Sequence, residues 1–307
     1  MKILATASLT LIILALTACG GSNPSSSTVA GGALTGNWQF SLSQLYPAPA
    51  KSLFVSGFLT QSNDVLAGSV VGPTIVNSSG IVNCGGTAEI SGTISSQSVT
   101  FIEDLGGTAY NFTGTISSDS HSMSGQFSAP GGACFTTATS GTWSAVLVPP
   151  LNGNFTGTIS GSNYMALLTG ANPVAPIAVS GSITQSTNAG ASVATLTGTI
   201  TAVGYPCLTT GSLTGTISGQ NVYLNVYDYS GALVGDLGQP SGSAGTPGSP
   251  ATVVVDSTSG ISLVDSNSTG LFLGVYNGTS VVGPCPPLST TNGLVTSDGA
   301  SVVFSFQ

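Results

Sequence analysis

Any chemistry in this chain of 307 residues has to come from very few side chains. Cys19, Cys84, Cys134, Cys207 and Cys285 offer thiols, His121 is the single imidazole, and Glu89, Glu103 and Asp104 are the carboxylates to weigh as an acid and base pair. A hydrolytic triad needs a base that a third group orients from a distance, yet His121 stands in Asp119-Ser120-His121-Ser122, a run of turn formers. We read His121 as a solvated turn residue. Glu103 shares the strand face of Val99 and Phe101, and a place inside a barrel would raise its pKa by desolvation. Because Asp104 and Gly106-Gly107 follow at once, the sequence favours a strand whose end has already reached solvent. Copy two of the pattern described below carries Tyr227-Asp228 at a similar strand end. No Cys-x-x-Cys pair accompanies the lone His, no clustered oxygen ligands suit calcium, and no glycine-rich segment opens a helix to cradle phosphate. The expectation is a protein without catalytic residues, metal or cofactor.

Composition narrows the partners. Charged residues are 4% of the chain where about 25% is usual, with two basic residues against ten acidic ones. Lys2 and Lys51 are those two, so nucleic-acid binding, which needs many cations to neutralise phosphates, is excluded. Hydroxyls and amides must clothe the surface instead. Hydrophobic residues reach 41% and alternate with polar ones, which points to a folded β protein and away from disorder.

The elements that must position these groups are short strands. Trp38, Phe40 and Leu42 alternate with Asn37, Gln39 and Ser41, the period of a half-buried strand. In the first half, strands are predicted near 35–42, 53–61, 65–71, 87–95, 98–104, 109–117, 122–128 and 140–148, separated by Gly, Asn, Asp and Ser. No helical period persists beyond the amino terminus. The same pattern then repeats: Leu34-Thr35-Gly36-Asn37-Trp38 matches Leu151-Asn152-Gly153-Asn154-Phe155, and Ser56 through Gln61 matches Ser180 through Gln185. Further on, Ile90 through Phe101 aligns with Leu213 through Leu224, which sets Ser95-Ser96-Gln97 on Ser218-Gly219-Gln220. We therefore expect an all-β chain with two tandem antiparallel meander domains, 34–149 and 151–307, each a small barrel or a barrel-like sandwich. Val148-Pro149-Pro150 joins them as an extended link, and 238–250, rich in Gly, Ser and Pro, is predicted to be a mobile loop in the second.

At the amino terminus, an apolar run from Ile3 closes on Leu16-Thr17-Ala18-Cys19, too short to span a bilayer permanently. The sequence resembles a bacterial lipoprotein signal with its lipobox. That resemblance implies a signal peptide of 1–18, cleavage before Cys19, and acylation (palmitate included) of Cys19 at the head of a Ser- and Gly-rich tether, 19–33. Several acyl chains on one residue would hold the protein at a membrane durably, and Gly20-Gly21 after the Cys resembles lipoproteins sent to an outer membrane. With Cys19 assigned to lipid and an exported, oxidising setting implied, Cys84, Cys134, Cys207 and Cys285 remain as an even set. We expect disulfides Cys84–Cys134 and Cys207–Cys285, one within each copy.

Gly36-Asn37-Trp38, with Ser140-Gly141-Thr142-Trp143 on a closing strand, resembles the opening of lipocalin and avidin-type (calycin-like) barrels, although the basic residue that lipocalins lay across that Trp is missing. The resemblance implies a small apolar ligand in a barrel mouth, or a partner protein of the envelope. A structural or adhesive protein with filled barrels is the alternative. The inward glycines Gly57, Gly92, Gly114 and Gly125 would either make room for a ligand or permit strand coiling.

Overall fold

The computed structural model describes residues 32–46, 51–72, 75–77, 80–82, 86–105, 107–131, 137–162, 165–166, 169–171, 173–205, 208–231, 233–238, 251–256, 260–265, 275–277, 280–282, 289–290, 293–294 and 300–307. The expected signal peptide, the tether up to residue 31, all five cysteines and loop residues 239–250 lie outside the described residues.

The first half forms β1 (Gly36–Tyr46), β2 (Lys51–Ser62), β3 (Val65–Gly72), a short hairpin of β4 (Ile75–Asn77) and β5 (Gly80–Val82), then β6 (Gly86–Ser95), β7 (Ser98–Leu105), β8 (Thr108–Ile116), β9 (Ser122–Ala129) and β10 (Thr139–Val148). These close in the order β1-β10-β9-β8-β7-β6-β3-β2, every pairing antiparallel, so the domain is a barrel and not a sandwich. Closure leaves no free sheet edge. One rim carries the tight turns at Ser62–Val65, Ser95–Ser98 and 116–122. The other carries the longer connections 46–51, 72–86 and 129–139.

Alternation decides what fills the barrel. Trp38, Phe40, Phe101, Phe112, Phe127 and Trp143 all point inward and are buried. Phe101 stacks on Phe112 at 4.5 Å, and Trp143 meets Phe101 edge-on at 5.3 Å, a geometry that aromatic quadrupoles favour. The glycines are places where backbones come together. Gly114 pairs with Gly125 across β8 and β9, and a Cβ on Gly125 would run into the Thr113 carbonyl oxygen. A Cβ on Gly114 would meet Trp143 Cζ2 at 2.7 Å. Close approach of neighbouring backbone accounts for these two glycines, and among the described residues the barrel core is built from its own aromatic and aliphatic side chains.

The second half forms β11 (Gly153–Ser160), β12 (Ile177–Ser186), β13 (Ala194–Ala202), β14 (Gly211–Ser218), β15 (Asn221–Asp228), β16 (Leu233–Leu237), β17 (Ala251–Asp256), β18 (Gly260–Asp265), two short hairpins, β19 (Val275–Asn277) with β20 (Ser280–Val282) and β21 (Ser289–Thr290) with β22 (Gly293–Leu294), and β23 (Ser301–Phe306). Its order is β14-β13-β12-β11-β23-β18-β17-β15-β16, closed by a β14–β15 pairing. Leu224 faces Leu237 while Val222 faces Ala251, so β16 and β17 occupy successive stretches of the same β15 edge. In the first barrel that edge belongs to β8 alone, where Phe101 faces Phe112 and Val99 faces Gly114. The Gly238–Pro250 insertion therefore interrupts a single strand, and the second barrel closes over eight strand positions as the first does. At the break, Asp265 Oδ2 accepts the Gly238 N–H at 3.0 Å, replacing a ladder acceptor. Leu196, Ile217, Leu224, Val226, Phe155 and Phe304 lie in the separate core of this barrel.

Candidate functional site: the cleft between the barrels

The barrels meet through a turn seated on a strand face. Ser218-Gly219-Gln220-Asn221 joins β14 to β15, and Gly219 adopts φ +56°, a conformation that glycine takes without steric cost. Asn37, outward-facing on β1, grips that turn reciprocally: its Nδ2 donates to the Gly219 carbonyl at 2.9 Å, and its Oδ1 accepts the Gly219 N–H at 2.7 Å. Gln39 Oε1 accepts the Gln220 N–H at 3.1 Å, and the Ser56 and Ser218 hydroxyls lie 2.9 Å apart. A Cβ on Gly219 would strike Gln39 Oε1 and lie 2.6 Å from Ser56 Cβ, so only glycine fits the seat. These outward polar side chains of β1 and β2 are buried, with Asn37 only 2% exposed, because a second barrel covers them.

Beside this seat opens a cleft of about 590 Å³. Phe58, Leu59, Leu147, Val148, Pro149 and Pro150 form its apolar walls, residues 187–190 at the β12–β13 connection form the facing lip, and Glu89 contributes the acidic edge. The volume falls within the ~300–1,000 Å³ typical of small-molecule sites. Phe58 is buried by packing against the second barrel's core although it points away from its own. The sequence reading missed this site. Phe58 falls on the outward period of β2, but so does Phe54, which is exposed, so phase alone did not mark the cleft.

The carboxylates weighed for catalysis are parted by the barrel wall. Asp104 and Glu89 are on the outer face and exposed, whereas Glu103 is 1% exposed inside the first barrel, between Ile90 and Tyr110 on the flanking strands. The expectation that the strand end had reached solvent is thus corrected: the inward phase of Val99 and Phe101 continues through Glu103 to Leu105, which is also buried. Glu103 Oε1 has no hydrogen-bond partner among the described residues, and desolvation pushes its pKa up to about 8. The carboxyl is therefore mostly protonated at neutral pH. Burial, and then the Glu103 charge, raise Tyr110 well above the ordinary phenol value. In the second barrel Val226 occupies the position of Glu103, and Asp228 falls one pleat nearer the rim. There Asp228 Oδ1 accepts from the Ser230 N–H and hydroxyl, each at 2.8 Å.

His121 lies at an exposed turn, 3.7 Å from Asp119 Oδ2. Asp119 in turn accepts from the Ser117 hydroxyl at 2.5 Å and the His121 N–H at 3.0 Å, bonds that lower its pKa. Its ties are those of a local turn. Among the described residues no group of three or more metal-ligating side chains assembles, and no helix is long and apolar enough to cross a membrane. No protein-family description, curated protein or solved structure matches the chain.

Proposed function

We propose that this protein is a lipoprotein of the bacterial cell envelope, held at the outer membrane through acylated Cys19, that binds a small apolar or amphipathic molecule in the cleft between its barrels. The cleft carries the reading: each barrel has its own core of buried side chains among the described residues, and an apolar space of ligand size opens between the two. Leu16-Thr17-Ala18-Cys19 supports the anchor. The barrel exteriors support an aqueous setting for the folded part, because outward positions such as Thr93, Thr100, Thr113, Ser124 and Gln126 are polar where a membrane-spanning barrel would present an apolar band.

Titration of the full chain with N-phenyl-1-naphthylamine tests the cleft. Saturable fluorescence enhancement is expected in the native protein, with loss in Ala67→Trp, which fills the cleft from an exposed position on β3. No saturable enhancement, or equal enhancement in both, would favour the second reading, an adhesive or structural envelope protein, which the filled cores also support. Incorporation of labelled palmitate into the native chain but not into Cys19→Ala tests the anchor separately.

A further inference from the structure

The contact between the barrels uses different surfaces on its two sides: the second barrel supplies a turn, the first supplies a strand face. Since the barrels are copies, each retains the surface that it does not use. The first barrel keeps its own turn, Ser95-Ser96-Gln97-Ser98, which corresponds to Ser218-Gly219-Gln220-Asn221 and has the same backbone, with Ser96 at φ +55° against +56° for Gly219. The second barrel keeps the face that corresponds to the seat, where Asn154 and Ser180 stand in the places of Asn37 and Ser56. Asn37 and Ser56 are buried under the docked turn; Asn154 and Ser180 are exposed. Both halves of the same joint are therefore exposed on one molecule.

The differences between the copies are complementary. Ser96 is larger than Gly219, whose seat leaves no room for a Cβ against Gln39 and Ser56. In the open seat Thr156 replaces Gln39, which removes the amide oxygen that a Cβ would strike, whereas Ser180 keeps the Cβ of Ser56, so a turn carrying Ser96 must ride higher on the strand face than Gly219 does. Asn154 retains the amide that pairs with a turn peptide in both directions. No charged residue belongs to either surface itself, although Asp64, whose carbonyl accepts the Ile94 N–H, lies in the neighbouring turn.

We propose that a second copy of this chain docks head to tail, its Ser95–Ser98 turn seated on the outer face of β11 and β12 of the first. The joint is heterologous, so it leaves a free turn and a free seat after every addition and builds a row unless the rotation closes it into a ring. Without a counterpart to Phe58 it is weaker than the joint within one chain.

A photocrosslinking residue, p-benzoylphenylalanine, placed at Gln97 in the full chain tests this, with equal amounts of ordinary and ¹⁵N-labelled protein on vesicles. Mixed-isotope crosslinks are expected in the peptides that carry Asn154 and Ser180, and Ser180→Trp, a substitution at an exposed strand position, should cut their yield by about tenfold. The near-ultraviolet circular dichroism of Ser180→Trp must match the native spectrum for this comparison, and Asn154→Ala serves as the second seat variant if it does not. Mixed-isotope crosslinks elsewhere, none at all, or a yield indifferent to the seat variants would overturn the proposal.

Discussion

Gln61 and Gln185 do the same thing in their respective barrels. Gln61 Oε1 accepts the Leu34 N–H at 3.0 Å, and Gln185 Oε1 accepts the Leu151 N–H at 3.0 Å. The reverse bonds correspond as well: the Gln61 N–H donates to Thr35 Oγ1, and the Gln185 N–H to Asn152 Oδ1, at 3.0 and 2.7 Å. A buried leucine that opens each barrel is thus tied to the end of the second strand by a long amide that spans what the main-chain ladder does not reach.

Replacing that amide should orphan a buried donor. Gln61→Leu is expected to cost about 1–3 kcal/mol, the desolvation cost of an unsatisfied backbone N–H, and Gln185→Leu a similar amount. Because the sites lie in different cores, the double variant should be additive within about 0.5 kcal/mol. Denaturant unfolding of the single and double variants checks both statements. Losses below a few tenths of a kcal/mol would show the bond to be dispensable.

Glu103 makes the first barrel sensitive to pH in a direction opposite to that of a salt-bridged carboxylate. Its pKa is about 8 when folded against 4.5 as the ordinary value, so the folded state holds a proton that the unfolded chain releases. Below pH 4.5 both states are protonated and there is no penalty. Stability falls as pH rises from there to about 8, by roughly 5 kcal/mol in all at 1.36 kcal/mol per unit. Glu103→Gln should abolish this component: near-neutral at pH 4, stabilising by several kcal/mol at pH 8. Urea midpoints of the two proteins between pH 4 and 9 provide the measurement, and parallel curves would count against a buried, protonated Glu103.

The joint between the barrels should depend on Gly219 out of proportion to its size. Gly219→Ala places a methyl group against Gln39 and Ser56 and should loosen the joint while leaving each barrel folded. Small-angle scattering is expected to show a larger radius of gyration, and proteolysis a new cut near Pro149-Pro150. Asn37→Ala should act the same way through the lost pair of hydrogen bonds. Unchanged scattering in both variants would mean that Phe58 and the linker fix the arrangement by themselves.

The disulfides Cys84–Cys134 and Cys207–Cys285 are proposed within the barrels. Cys84 and Cys134 fall in the connections 72–86 and 129–139, which leave from the same rim of the first barrel. Their separations, 134 − 84 = 50 and 285 − 207 = 78 residues, correspond to roughly 4 kcal/mol each in the chain-entropy account. Peptide mapping without reduction decides the pairing, and a Cys84–Cys207 bond would link the two barrels instead.

Much of the fold was legible because a barrel strand is a period-two signal bounded by turn residues. The strand predicted at 98–104 is β7, that at 122–128 is β9, and Trp38 is buried as its phase with Phe40 and Leu42 requires. The duplication was legible too, since Gln61 and Gln185 correspond both in sequence and in hydrogen bonding. Glu103 was misread because two acidic residues in succession look like solvent, although only one strand face can point outward; the second, Asp104, is exposed. The cleft was invisible for a different reason: it arises from how two barrels sit together, which no periodicity within either one encodes. Phe58 alone could not reveal it, because Phe54 shares its outward phase on β2 and is exposed.

The chain enters the first barrel through β1, which is laddered along both edges, to β10 from Asn37 and to β2 from Gly36. Antiparallel ladder bonds run across the strands, so a pull on the chain ahead of Thr35 loads both ladders lengthwise, and β1 must slide past two neighbours before it can leave. A strand on an open edge would peel away bond by bond. In mechanical terms β1 makes the first barrel a shear joint against load applied from its amino-terminal side.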